Sequence, residues 1–233
     1  MKTIYNDILS SKKSGSKLLS ILLDPDKVDF DNLDTLCAKI GASGATHILI
    51  GGSHVFTDRI DELILEIRDR CLLPIVLFPG NPTQISTKAD AILFLSLLSG
   101  RNPDFLIGHH VNAAPVLQQS ALEIIPTGYV LIESGSETAV AKVSQTQPLS
   151  NLDLIVNTAL AGEMLGKKLI YLYTHIKLSC HSYLKVSILL SYLFSCLLLY
   201  IQLYMQFQSL PYHACFFFVM FVRKRKILRR NKK

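Results

Sequence analysis

The stretch KLLSILLDPDKVDFDNLDTLCAKIGASGATHILIGGS, residues 17 to 53, decides the fold. It opens on an apolar run, KLLSILLDP (17–25). It continues into FDNLDTLCAKIGAS (30–43), which places Leu33, Leu36, Cys37 and Ile40 on one helical face. It closes on a second apolar run, HILIGGS (47–53). Short runs of branched side chains that stop at Asp, Pro or Gly read as strands buried on both faces of a parallel sheet. With an amphipathic helix between them, the stretch is a strand–helix–strand unit.

The same texture recurs up to about residue 173. PIVLFPG (74–80), ADAILFLSLLS (89–99), IIPTGYVLIE (124–133) and KKLIYLY (167–173) predict four more strands. VFTDRIDELILEIRDR (55–70) predicts a helix with Ile60, Leu63, Ile64 and Ile67 on one face, and NLDLIVNTALAGEMLG (151–166) predicts another. Alternation of this kind defines the α/β class with a parallel sheet. The loops that carry chemical groups (DPDK, GGS, PGN, SGRNP) all follow strands, as they do on the active face of a TIM (β/α) barrel. An open doubly wound sheet fits the period nearly as well, but no G-x-G-x-x-G follows the first strand, so a barrel is preferred. About six of the eight strands of such a barrel can be found, which makes it incomplete.

Charge divides the 233 residues in two. All 18 acidic residues lie at or before Glu163, where 12 Lys and Arg oppose them for a net of −6; the other 12 basic residues lie beyond, for a net of +12. The overall +6 is therefore no sign of nucleic-acid binding, because the globular part is acidic. The chain reads as a partial barrel over 1–173 and a tail over 174–233. In the tail, residues 186–222 contain no Asp, Glu, Lys or Arg, and RKRKILRRNKK follows at 223–233. The window 186–205 is about the ~20 residues that cross a bilayer, so the tail is expected to be helical, with a transmembrane helix and membrane association among its readings. One span, a hairpin or no insertion all fit. The five cysteines form no C-x-x-C pair, and MKTIYNDILSSKKSGSK has no apolar h-region, so the barrel is expected to be cytoplasmic.

Four strand ends carry the candidate chemistry. ILLDPDK puts Asp24 at the rim of the sheet, where a carboxylate suits Mg²⁺ or caps the next turn. In ILIGGSH, Gly51 and Gly52 allow close backbone approach and could turn their N–H groups toward an anion, while Ser53 offers a hydroxyl to phosphate or metal. LFPGNPTQIS (77–86) and LSLLSGRNP (95–103) add two loops, with Arg101 as a candidate anion contact. His109 and His110 lack metal-ligand spacing and read as ordinary polar residues.

Together these segments resemble one family, the geranylgeranylglyceryl phosphate synthases and their bacterial heptaprenylglyceryl phosphate relatives. LLDPDK, HILIGGS, PIVLFPGNPTQIS, ADAILFLSLLSGRNPDFLIGHHVNAAP, EIIPTGYVLIESG and the helix ending in GEMLGKKLIYL fall in the family's order over residues 4 to 172. GRNP and PTGY point to its larger, bacterial-type branch. The resemblance implies a Mg²⁺-dependent prenyltransferase of ether phospholipid biosynthesis. It would join a polyprenyl diphosphate to sn-glycerol 1-phosphate and release diphosphate. It also implies a metal held by Asp24 and Ser53, substrate binding at Tyr171, a prenyl lining drawn from segments such as Leu93 to Leu98, and often a homo-oligomer.

The resemblance stops at the sixth strand. The family continues Tyr-Leu with a glutamate and a Gly/Ser loop that bind glycerol 1-phosphate; here Tyr171 and Leu172 are followed by Tyr173, Thr174 and His175. The later Gly-rich phosphate loops have no counterpart in 174–233. The family's proton acceptor is thus replaced at Tyr173, and the chain is expected to be impaired in catalysis. Its tail reads as translation of another frame. The alternative is a non-catalytic barrel remnant tethered to a membrane by its own tail. In either case, six strands would leave the first and sixth without neighbours.

Overall fold

Six parallel strands stand side by side in chain order: β1 (Ser20–Leu23), β2 (His47–Ile50), β3 (Ile75–Leu77), β4 (Ala91–Leu97), β5 (Glu123–Leu131) and β6 (Leu169–Tyr173). The computed structural model describes residues 3–133, 135 and 137–173, and the backbone of 218–220. The six strands form a curled half-barrel. Its helices are α1 (Ile4–Ser14), α2 (Leu33–Ala42), α3 (Ile60–Arg68), α4 (His109–Gln118), α5 (Ala139–Ser144) and α6 (Leu152–Met164).

Alternation along each strand sorts its side chains into two layers. Leu49, Val76, Leu93, Ile125 and Tyr129 point inward, packed together with Ile8 of α1. Ile48, Ile50, Ile75, Leu77 and Ile92 point outward against Leu36 and Ile40 of α2, Leu63 and Ile67 of α3 and Leu117 of α4. Further round, Ile155 and Ala159 of α6 cover Val130, Ile132, Ile170 and Leu172. Both faces are therefore buried, which is why the strands read as continuous apolar runs. β1 is the exception, with Ser20, Ile21 and Leu22 only half-buried, because its outer edge has no strand partner among the described residues.

α1 is tied to the start of β5. The Glu123 carboxylate accepts the backbone N–H of Ile4 at 2.6 Å and of Tyr5 at 3.2 Å. It thereby meets the positive end of the helix dipole and two of its orphan donors. Glu123→Ala should cost about 1–2 kcal/mol, combining the lost charge–dipole and hydrogen-bond contributions. In a chain of this size that lowers the unfolding midpoint by roughly 2–8 °C. An unchanged midpoint would show that α1 is held by its apolar face alone.

The structure departs from the sequence expectations in three places. First, α3 starts at Ile60 rather than near 55, because the Asp26 carboxylate captures the N–H groups of Phe56 (2.9 Å) and Thr57 (3.0 Å) and holds them out of a helix. Second, the β3–β4 crossover has no α-helix, only the 3-10 turn Pro82–Gln84, which breaks the strand–helix alternation at this point. Third, the sixth strand does have a second neighbour. Residues Phe218–Met220 form β7, antiparallel to β6, with Leu172 opposite Phe218 and Ile170 opposite Met220. These tail residues are strand, where a helix was expected, since the open edge of β6 offers backbone partners that a short apolar run can satisfy. The proposed transmembrane window 186–205 lies outside the described residues. Among those described, no helix is long and apolar enough to cross a membrane.

Candidate active site

Asp24 leaves the end of β1 and its carboxylate leans over the turn after β2. A Cβ added to Gly52 would lie in ordinary contact, 3.4 Å from Asp24 Cγ and Oδ2, which places the carboxylate over the backbone next to Ser53. The side chain is 19% exposed. Its Oδ1 accepts the Asp26 N–H at 3.2 Å, and its Oδ2 accepts a hydrogen bond from Lys27 Nζ at 2.6 Å. Asp24 therefore lies beside the residue that precedes Ser53, at two adjacent strand ends.

The glycine pair serves another purpose than the anion cradle considered above. Gly51 N–H donates to Leu23 O at 3.1 Å and Gly52 N–H to Gln84 Oε1 at 3.1 Å, so both groups are engaged inside the protein. Gly51 has φ +145°, and a Cβ there would lie 2.1 Å from Phe78 O; one at Gly80 would lie 2.3 Å from Gly52 O. The turns after β2 and β3 touch backbone to backbone. Arg101 likewise turns back on its own loop, donating to Gly100 O at 2.6 Å and Leu98 O at 3.3 Å.

Beside these turns lies a cavity of about 740 Å³ of empty space, partly open to solvent. Gly52 and Ser53 line it together with Leu93, Leu95, Phe105 and Tyr129. Ile92 and Phe94 also line it. The Leu93–Leu98 segment, expected in the lining, supplies Leu93, Phe94, Leu95 and Leu97.

Tyr171 is 1% exposed and sits among aromatic rings, 5.2 Å from Phe78, 4.8 Å from Tyr129 and 6.3 Å from Tyr173 between centroids. Tyr129, rather than Tyr171, faces the cavity. Tyr173 is half-buried at the end of β6, its ring 6.0 Å from that of Tyr129.

The two histidines differ. His109 lines the cavity and stacks edge-on with Phe105. His110 is buried and bonded through Nε2 to Ser96 Oγ at 3.0 Å, and Lys167 Nζ donates to the same hydroxyl at 2.6 Å. The lysine takes one of the two acceptor lone pairs of Ser96, and the other lone pair or the hydroxyl proton meets the His110 imidazole. Burial, helped by the nearby Lys167 and His109, pushes its pKa down to about 4. Sequence periodicity carries no trace of this link, which joins β4, α4 and the connection between α6 and β6.

Among known proteins, the family model described as the PcrB family matches residues 12–181. A geranylgeranylglyceryl phosphate synthase of Flavobacterium johnsoniae is 61% identical over 174 residues, covering 74% of this chain and 72% of the relative. This chain belongs to the PcrB family. Another PcrB relative, the synthase of the same name from Chitinophaga pinensis, is 46% identical over 72% of this chain and 68% of its own. The crystal structure of (S)-3-O-geranylgeranylglyceryl phosphate synthase from Thermoplasma acidophilum, in complex with sn-glycerol-1-phosphate, superposes with a TM-score of 0.69. It is 30% identical and covers 75% of this chain and 71% of that one. The PcrB half-barrel here is thus the first six strands of a TIM-barrel enzyme fold, and the family match ends at residue 181.

Proposed function

We propose that this chain is a prenyltransferase of the geranylgeranylglyceryl phosphate synthase type that keeps the prenyl diphosphate half of its site and has an impaired acceptor half. The observation that carries this is the approach of the Asp24 carboxylate to Gly52, next to Ser53, which itself lines a largely apolar cavity. A carboxylate and a hydroxyl at neighbouring strand ends are the hard oxygen donors that Mg²⁺ takes, one or two from protein and the rest from water and phosphate. These residues therefore fit the metal: Asp24 and Ser53 would hold it. When bound, Mg²⁺ supplies neutralisation of charge on the diphosphate. Lys27, 64% exposed, can leave Asp24 without disturbing any packing.

In the reaction, the bond between the allylic carbon and the diphosphate oxygen breaks and its electron pair leaves with diphosphate. The glycerol 1-phosphate hydroxyl oxygen bonds to that carbon and must lose its proton. Leu93, Leu95 and Phe105 exclude water from the prenyl chain. At the position where the family resemblance places a glutamate, Tyr173 offers a phenol and no carboxylate to accept the proton. Losing a general base typically costs 10²–10⁴-fold.

The test compares the purified full chain with the Flavobacterium johnsoniae relative. We expect Mg²⁺-dependent binding of geranylgeranyl diphosphate by calorimetry, and prenylglyceryl phosphate formation about 10²–10⁴-fold slower than the relative's. Binding that is indifferent to EDTA would refute the diphosphate site, and a rate equal to the relative's would refute the impairment.

A further inference from the structure

We propose that Gln84 is a positioning residue: its buried amide, spanning the turns after β2 and β3, sets the orientation of Ser53 as a metal ligand. The inference rests on the Mg²⁺ reading of Asp24 and Ser53. Gln84 is 2% exposed, at the end of the 3-10 turn that replaces a helix between β3 and β4. Its Oε1 accepts two backbone N–H groups, from Gly52 and from Gly80, each at 3.1 Å. Its Nε2 donates to Gly52 O at 2.9 Å. One side chain thus occupies both backbone polar groups of Gly52, which fixes the peptide planes on either side of that residue. The second of those planes is the bond to Ser53.

Glycine has the widest backbone freedom of any residue, so Gly52 is where the turn would otherwise swivel. Residues 53–57 belong to no helix or strand that could hold Ser53 instead. The hydrogen-bonded anchors of the segment are Gln84 at residue 52 and, four residues on, the Asp26 carboxylate on the N–H groups of Phe56 and Thr57, with Val55 packed against the core between them. Between these two anchors the serine hydroxyl has its place set for it. Residues behind a metal ligand commonly change metal affinity by about 10–100-fold when removed.

The test uses the full chain, with Mn²⁺ replacing Mg²⁺ so that bound cation is read directly by electron paramagnetic resonance, without turnover. Gln84→Met removes all three hydrogen bonds at similar length and should weaken Mn²⁺ binding about tenfold or more. S53A should weaken it comparably, and adding S53A to Q84M should cost little more, since a misplaced hydroxyl has nothing left to lose. Should Q84M fail to fold, Gln84→Glu keeps both acceptor bonds and loses only the donor. Its added negative charge would by itself tighten cation binding, so a weakening reports misplacement of the ligand. Wild-type Mn²⁺ affinity in folded Q84M or Q84E, beside a loss in Asp24→Asn, would overturn the proposal and reduce Gln84 to a stabilising residue. Unchanged affinity in Asp24→Asn itself would overturn the metal reading, and the proposal with it.

Discussion

Gly51→Ala is expected to leave no stable barrel, or one whose unfolding midpoint falls by roughly 8–16 °C. The expectation follows from two constraints that act together. The backbone at Gly51 has φ +145°, a region closed to residues with a Cβ. The added methyl would also lie 2.1 Å from Phe78 O and 2.7 Å from Phe78 C, both backbone atoms. Those atoms cannot yield, because Phe78 N–H donates to Ile50 O at 2.8 Å and Ile50 is in register with Leu77. Relief requires parting β2 from β3 at the rim, which places the cost at about 4 kcal/mol, the upper range of single substitutions. At about 2–4 °C per kcal/mol for a chain of this size, the midpoint shift follows. Gly52→Ala is the control: its Cβ would be in ordinary contact at 3.4 Å or more, so the fold should persist. A G51A midpoint within about 3 °C of the parent would show that the two turns are not in rigid contact.

Asp24→Asn should abolish the Mg²⁺-dependent part of geranylgeranyl diphosphate binding, a loss of about a hundredfold or more, with little effect on stability. The amide keeps the oxygen that accepts the Asp26 N–H, so the turn is preserved. What disappears is the negative charge, and with it the strongest oxygen donor in the site. Stability should hardly move, since the ion pair lost is with a lysine that is largely in water, and such pairs contribute about 0–1 kcal/mol. Calorimetry with and without EDTA, together with a melting curve, separates the two effects. An Asn variant that binds the diphosphate as tightly as the parent in Mg²⁺ would remove Asp24 from the site.

Much of this could be read from the sequence because the half-barrel repeats one pattern. Runs such as HILI and PIVL are buried on both faces, so their composition announces strands, and the polar residues that end them mark the rim. The positions of Asp24 and Ser53 at that rim were legible for that reason. Features that depend on pairs far apart in the chain were not legible. Gln84 sits in a run of Pro, Asn and Thr that reads as an exposed loop, and nothing in it signals an amide buried between two turns. Glu123 opens a strand with no hint that it caps a helix 119 residues earlier. Residues 55–59 carry a helical pattern, and the Asp26 carboxylate overrides it by satisfying two N–H groups first. The residues at 218–220 read as part of a helix because composition says nothing of an open strand edge waiting for a partner.

The strand order of the sheet, identical to the order along the chain from β1 to β6, has a kinetic consequence. Each new strand needs only the one made just before it, so the half-barrel can assemble by accretion as the polypeptide leaves the ribosome, every docking step closing a short loop at small entropic cost. The exception is the bond between Glu123 and the start of α1, which must wait until β5 has been synthesised. Until then the first helix lacks its hydrogen-bonded anchor, and its apolar face is the natural client of whatever shelters nascent chains.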